Sequence, residues 1–201
     1  MTHDDEVWAR VAAQRCVLAD ALSDLSDPEW ATGSACQGWS NHDVLAHLVW
    51  LAELSIPRML VDVSAASLRH RCGPIGAIAP IAVDLARTAP PDELLDRLRL
   101  ASEGRFVPPS APPEVALAEV VVHGMDITRP LGRPDVASAE VIDQVTGSIR
   151  RFHRVYGTSR DVRDATLVST ETGWTSAGPG DRRIEATSAD LLLWAAGRTP
   201  R

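Results

Sequence analysis

The chain has 201 residues, 45% hydrophobic and 23% charged, the profile of a soluble globular protein with one well-buried core. Its 27 acidic residues against 20 basic ones, all of them arginine, leave a net charge of -7 that repels phosphate backbones, so nucleic acid is not an expected partner. No apolar run is long enough to span a membrane, the acidic start Met1-Thr2-His3-Asp4-Asp5-Glu6 is no signal peptide, and the scattered Cys16, Cys36 and Cys72 form no disulfide framework, which together predict a cytoplasmic protein with free thiols.

A first helix is expected from about Asp5 to Ser26, where Val7, Val11, Leu18, Leu22 and Leu25 recur at one-face spacing and Asp27-Pro28 is read as the stop. A loop carrying Trp30, Cys36 and Trp39 follows. Ser40 is a good N-cap with Asp43 in the first turn, and a second helix runs through Val44, Leu45, Leu48 and Leu51 until Pro57 bends or ends it. Gly73-Pro74, Gly76 and Pro80 weaken the pattern, leaving at most a short helix within Ile75–Thr88. Pro91 opens another helix through Leu94, Leu95 and Leu98. After a proline-rich connector, a long helix is expected from Glu114 to Thr128 and a fourth long one from Ser138 to Tyr156, with the stripe Val141, Val145, Ile149, Phe152 and Tyr156. The tail then changes character, with strands near Ala165–Thr170 and Arg182–Thr187 and a terminal helix Asp190–Ala196 closed by Gly197. The expectation is a mainly α protein: a four-helix bundle over residues 1–157 and a small strand-turn-strand-helix α+β extension over 158–201.

Chemistry concentrates in few places. Glu119 and His123 are four apart, so they project from one helix face, and His47 lies mid-helix among leucines. If those helices pack together, two imidazoles and a carboxylate converge in the bundle, a set that leaves coordination positions open as catalytic metal sites do. A solvated Glu/His pair and a satisfied core histidine are the commoner meanings of such residues. Against them, Glu119 is flanked by Ala116, Leu117, Ala118 and three valines, and a carboxylate in such surroundings needs a partner or a cation. Zinc suits this donor set; nickel, iron or manganese can also occupy it. Asp126 is placed to accept a hydrogen bond from a ligating His123, or else to serve as a polar group near the helix end. His42 reads as a helix-start residue, His3, His70 and His153 as surface residues, and Arg129 and Arg198 as candidate anion binders or plain surface charge. Cys36 has no evident base near it and reads as a structural thiol.

Cys36-Gln-Gly-Trp39 followed by Asp43-Val-Leu-Ala-His47-Leu resembles the N-terminal signature of the mycothiol-dependent maleylpyruvate isomerase family, within the DinB-like superfamily. Glu119-Val-Val-Val-His123-Gly-Met-Asp126-Ile is similar to its second metal motif, and Leu191-Leu-Leu-Trp194-Ala-Ala-Gly-Arg198 to its C-terminal ending. The resemblance implies a DinB-like four-helix bundle with a divalent metal, usually zinc, on His47, Glu119 and His123. It also implies mycothiol as the thiol cofactor, deprotonated on the metal and attacking a small electrophile, for isomerisation or S-transfer. Arg198 matches the family's C-terminal arginine, placed to hold a substrate carboxylate. The stretch after Tyr156 is short for the family, and Ser40-Asn41-His42 stands where an arginine is frequent. A metal-dependent hydrolase of the same fold, a non-catalytic metal- or ligand-binding protein, and a helical protein in which all three residues are core remain alternatives. Either a monomer or a homodimer fits.

Overall fold

The computed structural model describes residues 2–109, 111–152 and 157–198. Helix α1 (His3–Ala21) starts at a Thr2–Asp5 capping box and buries Val7, Val11 and Leu18. Short α2 (Asp27–Ala31) follows, then α3 (Asn41–Ala52), opened by a Ser40–Asp43 capping box. Next come α4 (Ile56–His70), α5 (Ile78–Thr88), α6 (Pro91–Leu100), α7 (Glu114–Thr128) and α8 (Ala139–Ile149). The tail contributes α9 (Arg160–Asp164), strands β1 (Thr166–Ser169), β2 (Thr175–Ser176) and β3 (Arg183–Ala186), and α10 (Ser188–Ala195).

The bundle is a ring in which α1 packs on α6 and α7, and α3 packs on the same two helices. Leu18, Leu22, Leu45, Leu48, Leu94 and Leu98 fill its middle. The short α6 therefore closes the ring, while α8, counted fourth among the long helices by its stripe, lies outside against α7 and α10. Tyr156 and the side chain of Phe152, which complete that expected stripe, lie outside the described residues, as does His153, expected at the surface. The mainly helical fold with a small C-terminal sheet is as expected.

Two prolines act differently from the expectation. Pro28 and Pro57 each sit in the first turn of a helix, behind N-caps Ser26 and Ser55. A proline there gives up an amide that has no intrahelical acceptor anyway, so it starts α2 and α4 instead of stopping the helices before them. The first helix thus ends at Ala21, and Trp30 is a buried residue of α2.

In the tail, β1 pairs in parallel with β3, Thr166 opposite Arg183 through Ser169 opposite Ala186, and antiparallel with β2 on its other edge. Leu167 on β1 and Leu191 and Leu192 on α10 join one buried cluster with Val121 and Met125 of α7 and Val145 and Ile149 of α8. That shared packing brings the end of α10, and Arg198 just beyond it, back to the bundle.

Candidate functional site

The capping box at Ser40 fixes where α3 begins, and seven residues later His47 points inward, 6% exposed. Across from it α7 presents Glu119 and His123 one turn apart. One oxygen of Glu119 lies 3.4 Å from Nε2 of His47 and 3.2 Å from Nε2 of His123. Ligand atoms of all three residues fall within 4.8 Å of one another. Tetrahedral donors each ~2.0–2.1 Å from a zinc ion stand ~3.3–3.4 Å apart, so these separations suit a metal better than direct hydrogen bonds, one being at the long limit. The structure therefore brings together the three residues singled out from spacing, and their donor chemistry fits a divalent cation.

The three groups of the triad shift one another's protonation. Burial raises the Glu119 carboxyl, but the two histidines outweigh it and hold the group well below the ordinary carboxylate range. Burial lowers His47, which the nearby His123 reinforces and Glu119 only partly offsets. Burial also works against protonated His123, yet hydrogen bonds to Asp126, Cys36 and Glu119 overcome it and raise that ring well above its usual value. The quarter of the Glu119 side chain that solvent reaches opens on a cavity, described below.

Behind His123 stands a second group of residues. Its Nδ1 lies 2.9 Å from Asp126, whose carboxylate is fully buried. Asp126 also accepts from Arg198, at 3.2 Å from Nε and 2.8 Å from Nη2. Burial raises this carboxyl; His123 and then Arg198 outweigh it and bring its pKa down to about 2. Arg198 donates its Nη1 to the carbonyl of Ala196, so its fork is spent on the protein. Arg129 is likewise committed, gripping Asp135 through two bonds of 2.8 and 2.6 Å.

Cys36 corrects the sequence reading. Its Sγ donates to Asp126 Oδ2 at 3.0 Å and lies 3.5 Å from His123 Nδ1, so candidate bases do surround it. The loop that carries it is pinned by bonds from Ser34 to Trp39 and from the Ala35 amide to the Asp126 carbonyl, with Gly38 at φ 81° making the turn. The same loop lays Trp39 nearly parallel to the His123 ring at 6.4 Å and edge-on to His47 at 5.2 Å. Cys36 and Trp39 are about ninety residues from His123 in sequence, and only their place in a shared motif signalled a role. Three other histidines stay apart: His42 bonds the Ala89 carbonyl, His3 meets Glu114, and His70 meets Asp84.

Two cavities flank this centre. One of about 370 Å³ has His47 and Glu119 in its wall, together with Arg15, Leu48, Trp50 and Phe106. The other, about 350 Å³, lies beyond Arg198 and is edged by Arg129, Arg133 and Asp135. No described helix is long and apolar enough to cross a membrane.

Residues 11–106 match the family model of the mycothiol maleylpyruvate isomerase N-terminal domain. No protein of curated function matches the sequence. Among solved structures, the crystal structure of the mycothiol-dependent maleylpyruvate isomerase superposes with a TM-score of 0.60 at 18% identity, covering 99% of this chain and 91% of that one. A mutant of that enzyme gives a TM-score of 0.61 over the same coverage. At that identity the likeness is one of fold.

Proposed function

From the match of residues 11–106 to the mycothiol maleylpyruvate isomerase N-terminal domain, we propose that this chain is a divalent-metal-dependent enzyme that uses mycothiol to isomerise a small electrophile or to transfer its sulfur to it. One observation carries the reading: two imidazole nitrogens stand 3.4 and 3.2 Å from a single Glu119 oxygen, at the spacing of a tetrahedral donor set. His47, Glu119 and His123 are the ligands in this reading, with zinc the best-suited ion. A cation there supplies Lewis acidity, keeping a coordinated thiol deprotonated at neutral pH.

The remaining work falls to the chain. Asp126 accepts a hydrogen bond from the Nδ1–H of His123, which fixes the tautomer whose Nε2 lone pair is directed at the Glu119 side. Arg198, delivered by the C-terminal extension, spans both oxygens of Asp126, neutralises its charge and holds the carboxylate in place. Trp39 restricts both imidazoles from above. The reaction class is addition of the thiol sulfur to an electron-poor alkene carbon, rotation about the resulting single bond, and expulsion of the thiol. Protonation of the adjacent carbon in place of expulsion leaves the thioether and gives S-transfer instead.

Metal analysis of the purified protein and of a His47→Ala variant, followed by calorimetric titration of mycothiol into the metal-loaded protein, tests the reading. One equivalent of metal in the parent, its loss in the variant, and saturable mycothiol binding are expected. A parent that takes up no metal, or that ignores mycothiol when loaded, refutes it.

A further inference from the structure

Arg15 lies on α1 between Val11 and Leu18, on the face turned to the bundle, and is only 2% exposed. Its Nη1 donates to the carbonyls of Ser102 at 2.9 Å and Gly104 at 2.7 Å, with that of Ala101 at 3.4 Å, tying α1 to the end of α6. Those carbonyls occupy one corner of the guanidinium. The buried Nε–H has no acceptor, and among the described residues no carboxylate pairs with Arg15. Burial alone pushes its pKa down to about 10, so the group is still a cation at neutral pH. A buried, unbalanced charge with an orphaned donor is costly, and such exceptions in folded proteins call for a reason.

The surroundings supply one. Arg15 is part of the wall of the 370 Å³ cavity that also contains His47 and Glu119. The rest of that wall is largely apolar, including Leu48, Trp50, Leu51, Ile78, Phe106 and Val115. A space with Arg15 as its cation, the triad's His47 and Glu119 elsewhere in the wall and hydrocarbon over the rest suits a ligand with one anionic end, held at Arg15, and an apolar body. Arg198, the other arginine near the triad, already spends its fork on Asp126.

We propose that this cavity binds an apolar carboxylic acid, aromatic or branched, with its carboxylate on Arg15 and its body directed at His47 and Glu119. The proposal rests on the preceding reading only in treating the triad as the reaction centre; the binding itself requires no metal.

Calorimetric titration of cinnamate and of cinnamamide, its neutral counterpart, into zinc-loaded and zinc-free protein tests this. Cinnamate is expected to bind about tenfold more tightly than the amide in both forms, as a charge-assisted pair should. Arg15→Lys keeps a cation for the three carbonyls but loses the free Nε–H, and should bring acid and amide close to equal affinity. Because changes at Arg15 can unsettle α6, Ala111→Trp, at another part of the wall, is the second variant. It should abolish cinnamate binding while leaving the thermal melt unchanged. Equal affinities in the parent, no detectable binding of the acid, binding only when zinc is present, or undiminished binding in Ala111→Trp would each overturn the proposal. Acid preference in a protein that takes up no metal leaves it standing while the metal–thiol reading fails. Metal and mycothiol binding without acid preference does the reverse.

Discussion

His123 turns its Nδ1 to the buried carboxylate of Asp126 at 2.9 Å and its Nε2 to Glu119 at 3.2 Å, so a single ring joins two anions. Replacing Asp126 by Asn keeps the shape and removes the charge that fixes the ring. We predict that Asp126→Asn weakens zinc binding by roughly 10–100-fold, measured by competition with a chromophoric chelator. It also strands the partly buried Arg198 cation, so the metal-free variant should lose about 3 kcal/mol of stability in urea. Affinity equal to that of the parent would show that the carboxylate has no part in orienting the ligand.

Zinc should stabilise the parent by linkage. At a free concentration a hundred times its dissociation constant, the expected gain is about 2.7 kcal/mol, seen as a higher melting temperature that EDTA reverses. Glu119→Gln should abolish most of this gain, because the amide is a poor replacement for the carboxylate shared by His47 and His123. A variant that responds to zinc as the parent does would place the ion elsewhere.

Acid stability should depend on Glu53, which receives Arg97 through two bonds of 2.9 and 2.8 Å and Arg58 at 2.9 Å, joining α3, α4 and α6. The hydrogen bond from Arg97 is the main reason its carboxyl is held below the ordinary 4.5, against a smaller opposing effect of burial. A lowered native pKa means the stabilisation is complete above the unfolded value and is lost as pH falls through the folded one. Denaturant melts below about pH 4.5 should therefore decline less steeply in Glu53→Gln than in the parent, and at neutral pH the variant should be weaker by about 1 kcal/mol. Parallel pH profiles for the two proteins would exclude this role.

Gly104 passes so close to the end of α3 that a Cβ there would stand 2.0 Å from the Ala52 carbonyl oxygen. Gly104→Ala must displace backbone, and with it the carbonyl that accepts from Arg15. A loss of about 2 kcal/mol or more is expected in urea unfolding, together with weaker cinnamate binding. An unchanged midpoint would mean that the connector moves freely.

What could be read in advance followed the range of the interactions concerned. Ser40 with Asp43, and Glu119 with His123, lie within one helical turn, so their spacing states their geometry directly. His47 needed the further assumption that α3 and α7 pack together, which the leucines on α3 supported. Pro28 and Pro57 misled because a fixed φ is compatible both with the end of one helix and with the first turn of the next; the serines before them, Ser26 and Ser55, carried the information that decides. Cys36 meets Asp126 across 90 positions, and no local pattern announces such a contact. Arg15 did leave a signal. It interrupts the apolar run Val7, Val11, Leu18, Leu22 at a position where the helix faces inward, and a charge there asks what will receive it.

The Arg198–Asp126 pair also bears on how the site comes into being. Its two halves are 72 residues apart, and Cys36 is 162 residues from the same arginine. During synthesis the bundle helices leave the ribosome well before residue 198 does, so until then Asp126 is a carboxylate without its guanidinium. The Arg198–Asp126 pair therefore requires the C-terminal segment to fold back, with β1 paired to β3 and α10 docked on α8. A chain cut after residue 157 should keep much of its helical circular dichroism yet bind zinc poorly and expose the apolar surface of α8 to a hydrophobic dye. Such a fragment with parental zinc affinity would show that the bundle alone completes the centre.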